Sequence, residues 1–444
     1  MMKFKAPLIS WTALFLLSLI LQSVGVGLAQ EEDVATLEES VIEALANNWT
    51  LKAMEERPDQ AAYVKRQARA ELLPKLSTSY GYTRLSEEPI SRSSTPLWTG
   101  FPLAPRDNYQ WKGTVTQPLF TGFSLISSFQ LAKLGVDQSK MEVELERLAL
   151  ALRVKEAYFG ILESDKFVDV AIKAVEALES HVKVASSFYE VGMIPINDLL
   201  KAEVELANAQ HDLIKVTNAA RLTRFTFNTV LSRPINTPVR IKDILAYKPE
   251  RGEFQCYLQE ALMTRPEMKL LDINILQADQ EIRLINGKNY PEVVLTYDYI
   301  KEGDDPDVSG SAFHDAGRWE AMAVCTWTFW EWGTTHYSVK EKESLKKELI
   351  KTKMALEDSI RLELKDAILD LDETEQNIPT TRKAVAQAEE NLRVSQERYK
   401  AQVTTSTEVL DAQTLLTQAR TNYYSSLYDH NLAEARLKRA LGSY

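Results

Sequence analysis

Apolar residues step by four, three and four through Met141, Leu145, Leu148 and Leu152, a spacing that lines them along one face of an α-helix. Between Leu125 and Tyr189 there is no proline, and Gly135 and Gly160 are the only glycines. The pattern predicts one amphipathic helix of about 65 residues, which at 1.5 Å per residue is roughly 100 Å long. It recurs from His336 to Tyr399, where Val385, Ala388, Leu392, Ser395 and Tyr399 keep the same steps. Spacing sustained over that length favours coiled-coil seams over a globular core. Breaks follow at Val191 to Ile196, with Gly192 and Pro195 as helix stops, and at Ala401 to Ser406. The rhythm then resumes in Val409, Ala412, Leu416, Ala419 and Tyr423. Two long antiparallel helical hairpins are expected.

Elsewhere the period drops to two. Leu76, Thr78, Tyr80 and Tyr82 alternate with Lys75, Ser77, Ser79 and Gly81, and Val293, Leu295, Tyr297 and Tyr299 alternate with Val294, Thr296 and Asp298. These read as strands with one apolar face. Partner strands are expected at about Tyr109 to Leu119 and Trp319 to Phe329, joined by loops at Thr83 to Asn108 and Lys301 to Gly317 that are rich in Ser, Pro, Asp and Gly. Trp98, Trp111, Trp319, Trp327, Trp330 and Trp332 are six of the eight tryptophans, all in or beside these segments. Such aromatics mark the interfaces of an outer-membrane barrel; periodicity alone also allows a soluble β-sandwich edge packed on helices. Four strands cannot close a barrel, so several chains must share one.

Helices and strands both come in pairs. Tyr189, Asp198, Leu200, Ala202 and Leu206 have counterparts 210 positions later in Tyr399, Glu408, Leu410, Ala412 and Leu416. Ala44, Leu45, Pro74, Tyr80 and Tyr82 are matched at an offset of 217 by Ala261, Leu262, Pro291, Tyr297 and Tyr299. The first copy therefore carries about seven extra residues between Tyr82 and Phe120, the mark of a loop tip. Two repeats, 30–232 and 254–444, flank a linker at 233–253, and residues 1–29 precede them. A duplicated unit whose copies must pack on one another places function in the assembled shape.

Lys3 and Lys5, the apolar run Leu8 to Val24, and small Gly27 and Ala29 form a secretory signal peptide cut after Ala29; the alternative is an uncleaved anchor. Losing it removes two positive charges from a chain already at −11, a balance that argues against nucleic acid. No later segment offers about 18 uninterrupted apolar residues, so any membrane passage must be as β-strands. Cys256 and Cys325 make no disulfide framework, and neither adjoins the cleavage site as a lipid anchor would require. His181, His211, His314, His336 and His430 fall in no metal-ligand spacing and are expected at the surface or in packing. No phosphate loop, nucleophile elbow or zinc spacing is present, so neither enzyme nor cofactor chemistry is supported.

Leu72-Leu73-Pro74 before the first strand, Gln117-Pro118-Leu119-Phe120-Thr121-Gly122 leaving the second, Tyr189-Glu190-Val191-Gly192 at the first tip, and Ala440-Leu441-Gly442 near the end occur in an order and spacing that resembles the TolC-type outer-membrane efflux proteins, over essentially the whole mature chain. The resemblance implies a mostly α fold with a β-barrel part. Three copies would each give four strands to one twelve-stranded outer-membrane barrel, and the long hairpins would form a periplasmic tunnel. Pro234 to Glu253 and both chain ends would wrap it as an equatorial belt. It implies a passive exit duct for tripartite efflux or type I secretion, in a Gram-negative outer membrane. Its partners would be its own copies, outer-membrane lipid, a periplasmic adaptor and, through that, an inner-membrane transporter. The duct would open at its helical tips.

Carried over by position, the gate residues are Asn197, Asp198, Tyr399, Glu408 and Asp411, and the adaptor-contact tips are Val191, Gly192, Met193, Ala401, Gln402 and Val403. Acids repeated threefold around a narrow pore would favour cations and raise one another's pKa; the alternative is that Glu408 and Asp411 decorate a solvated face. Gln402 stands where the family usually has glycine, and Thr404 where some members carry a basic latch. Closure is then expected to rest on a Tyr399–Asp198 hydrogen bond and packing. Trp330-Glu331-Trp332-Gly333 also departs from the usual small residues, implying different packing at that rim. A second function class, an exported non-conducting coiled-coil spacer of the envelope, has no need for two apolar-faced strand pairs.

Overall fold

The computed structural model describes residues 34–90, 102–244 and 252–444. The signal peptide, Trp98 and the end of the linker lie outside these. The chain runs α1 (Leu37–Asn47), α2 (Trp49–Ala70), β1 (Lys75–Arg84), β2 (Asp107–Thr121), α3 (Ser124–Glu190), α4 (Ile196–Val230), α5 (Phe254–Thr264), α6 (Pro266–Asn286), β3 (Glu292–Gly303), β4 (Gly317–Thr326), α7 (Thr334–Lys400) and α8 (Ser406–Ala440). The helices α3 and α7 each have 67 residues, and α4 and α8 each have 35. The extra residues of the first copy sit between β1 and β2. β4 ends at Thr326, so Trp327, Thr328 and Phe329, expected within the strand, lie beyond it in the turn into α7. α7 also continues through Pro379, although the missing N–H removes one hydrogen bond of its ladder.

The four strands form one antiparallel sheet in the order β1-β2-β3-β4, with β1 and β4 as open edges. Register fixes which side chains share a face. Tyr80 pairs with Trp111, Tyr82 with Tyr109, Tyr297 with Val115 and Tyr299 with Trp319, so one face is aromatic and apolar. The other face is polar and ion-paired. Lys112 Nζ lies 2.8 Å from Asp298, which also accepts from Thr114 at 2.6 Å, while Glu302 accepts from Gln110 and Arg318, each at 2.6 Å. That is the sidedness of a barrel wall with lipid outside and water within. No described helix is long and apolar enough to cross a membrane.

Two apolar clusters lie along the long helices, and they are the same cluster twice. Ala44, Leu51, Leu150, Val154, Ala157 and Ile161 in the first correspond at the two offsets to Ala261, Met268, Ile360, Leu364, Ala367 and Leu371 in the second. Short helices α1 and α5 pack there, each against the long helix of its own repeat. In the first copy Tyr158 adds a polar tie: its hydroxyl donates to the Lys242 carbonyl at 2.8 Å and lies 3.2 Å from that of Ala35. The two extended segments so tied are bridged to each other between Ala35 and Ile241. Burial of its ring pushes the Tyr158 hydroxyl up to about 12.

α6 lies between α3 and α7. The approach to α3 is closest at two glycines: a Cβ on Gly122 would stand 2.0 Å from the Gly287 carbonyl oxygen. Ser124 donates to the Leu284 carbonyl at 3.2 Å, and Phe120 and Phe123 meet Tyr290 edge-on. In the counterpart turn of the second copy, Trp330 to Thr334, Trp332 takes the place of Gly122. Trp332 is 85% exposed there.

Candidate functional site at the hairpin tips

Both hairpins reverse by the same backbone device. The Gly192 and Met193 amides donate to the Tyr189 and Phe188 carbonyls at 2.9 and 2.8 Å, and the Gln402 and Val403 amides to Tyr399 and Arg398, both at 2.9 Å. This is the Schellman closure of a helix, which needs a left-handed residue after the cap. Gly192 supplies it at φ 74°, and Gln402 adopts it at φ 60° without glycine's freedom. Val191, Met193 and Val403 project from the tips at 68%, 54% and 66% exposure. Gly192, Ala401 and Gln402 are exposed beside them.

Of the expected gate residues, Asn197 and Asp411 line one open groove between α4 and α8, together with Leu200, Val204 and Leu410. Asp198 lies in the first turn of α4. Glu408 does not stand free: Arg398 Nη1 approaches it at 2.9 Å, and the Thr404 hydroxyl donates to it. The basic partner of Glu408 thus comes from α7, ten positions earlier. No local pattern pairs Arg398 with Glu408 across the turn, and the family's latch position, 404, is a threonine here.

Tyr399 corrects the expected closure. It is buried, and its hydroxyl makes no hydrogen bond to Asp198. Burial first, and the nearby Asp198 charge second, push its hydroxyl pKa above the ordinary value. Packing holds it instead, against Leu392, Val409, Ala412, Val184 and Phe188, with its ring 5.6 Å from that of Phe188. His181 of α3 completes the contact. Its ring centroid is 4.9 Å from that of Tyr399, and its Nε2 is 2.7 Å from the hydroxyl of Ser406, the first residue of α8. No metal-ligand spacing drew attention to His181 in the sequence, and its burial is a tertiary property.

The chain matches the family model described as outer membrane efflux protein over residues 41–230 and 257–443. It is 21% identical to the outer membrane protein TolC of Vibrio cholerae serotype O1 across 413 residues, covering 90% of this chain and 89% of that one. Its fold is similar to that of the outer-membrane channel OprN, with a TM-score of 0.79 at 13% identity over 92% of this chain and 90% of the other. It is also similar to the outer membrane protein VceC of Vibrio cholerae, with a TM-score of 0.76 at 16% identity over 92% and 96%.

Proposed function

We propose, from the premise that this chain belongs to the outer membrane efflux protein family and forms an exit duct of the Gram-negative outer membrane with a large periplasmic helical part, that three copies build one duct gated at the hairpin tips. The observation that carries this is the open four-stranded sheet, aromatic on one face and ion-paired on the other, continuous with two hairpins of about 100 Å. An envelope spacer has no use for such a sheet. Edges β1 and β4 expose unpaired backbone donors and acceptors that neighbouring copies satisfy. The apolar tips at Val191, Met193 and Val403 offer contacts to a periplasmic adaptor, through which an inner-membrane transporter supplies energy and cargo. The duct itself is passive.

At the tips, Asp411 and Asp198 repeated threefold make the acidic constriction, with Asn197 alongside. Glu408 contributes less, because Arg398 offsets its charge. In planar bilayers Asp411→Asn is expected to cut cation selectivity, and Glu408→Gln to change it less. Equal effects of the two substitutions, or none, would count against this assignment. Absence of any current from intact trimers would count against the duct.

A further inference from the structure

Where the first hairpin packs on the second, an imidazole is enclosed. His181 is 7% exposed, Tyr399 3% and Ser406 0%, and the imidazole bridges α3 to the last turn of α7 and the first residue of α8. We propose that His181 is the positioning residue that holds the second hairpin against the first, and that its protonation releases that hold, so that acid favours the open duct. This rests on the tip-gate reading above.

The groups facing His181 from each neighbour support the direction. On α7 the side chain against it is Tyr399, which is neutral. On α8, Glu408 is engaged by Arg398, and Asp411 is exposed in the groove with α4. On α4, Asp198 acts on Tyr399, and Glu205 lines a cavity beside Leu178, one turn from His181. On its own helix Glu179 and Lys183 flank it. Among the described residues His181 forms no ion pair, and burial holds its pKa below the ordinary 6.5. A protonated ring could still donate to Ser406. What is lost is solvation of the charge, at the positive end of the α8 dipole.

The sign follows from linkage. The packed state binds fewer protons than the released one, so packing is at full strength above about pH 6.5 and weakens as pH falls below it. The chain contains its own control. The counterparts of His181, Ser406 and Tyr399 in the other copy are Asn391, Ile196 and Tyr189, all exposed in the single chain. In a trimer they would face the next copy, and none of the three is an imidazole. Acid would therefore loosen three of the six hairpin contacts and leave three intact.

The test is single-channel open probability of the full-length trimer at pH 7.5 and 5.5, for wild type and His181→Asn. Wild type is expected to open more at pH 5.5, by at most about tenfold for each histidine released, because that pH lies one unit below the ordinary imidazole value. His181→Asn should lose most of that dependence. An unchanged pH profile in His181→Asn overturns the inference and leaves the duct standing. Wild-type trimers silent at both pH values overturn the tip-gate reading as well. Should the variant not assemble, the imidazole carbon resonances of wild-type protein decide: a His181 pKa at or above 6.5 overturns the proposal, and one below supports it.

Discussion

The two tips put different residues into one backbone conformation. Gly192 and Gln402 both cap a long helix in the left-handed region, but a side chain there costs about 1–2 kcal/mol. Gln402→Gly is therefore expected to stabilise the second tip by about 1 kcal/mol, read as slower hydrogen exchange of the Gln402 and Val403 amides. The sequence singled out Gln402 as the departure from glycine. It did not show that the backbone stays left-handed regardless, because that is fixed by the Schellman bonds to Tyr399 and Arg398. Tyr399 was legible as a tip residue through its match to Tyr189. Its burial beneath His181 was not, since that contact joins positions 218 apart in the chain, whose adjacency no local pattern encodes.

Among the elements, periodicity located the long helices to within a residue or two, because 67 residues of amphipathic spacing with few helix breakers leave little choice. The strands were found by their alternation, but the end of β4 was not, because Trp327 and Phe329 extend its pattern into the turn. Nor does periodicity distinguish the two mid-helix cores from each other. They differ at Tyr158, whose counterpart Ile368 has no hydroxyl to tie a flanking segment. Tyr158→Phe strands the Lys242 carbonyl, while that of Ala35 keeps the Lys242 amide at 3.2 Å, and is expected to cost about 1–3 kcal/mol. Limited proteolysis checks this: cleavage near residues 234–244 should appear at a lower temperature, and an unchanged pattern would deny the tie its role.

For the whole molecule, the close Gly122–Gly287 approach inside the chain would have as its counterpart in the proposed trimer Trp332 of one copy against Ala70 of the next. A tryptophan cannot come as near as a glycine, so that contact between copies would be wider than the one within them. A duct built from six similar repeats then has only threefold symmetry at that level. With Cys256 and Cys325 replaced by serine, Trp332→Cys with Ala70→Cys is expected to oxidise to covalently linked trimers. Chains that stay unlinked while native trimers persist would show that these positions do not meet. The helix length has a mechanical consequence. The tips stand at the far end of long rods, 40 residues or about 60 Å beyond Leu150 and Ile360, so a tilt of about 5° at those positions moves them by about 5 Å. The rods work as levers, turning small repacking around Leu150 or Ile360 into a displacement at the tip about as large as one helical turn.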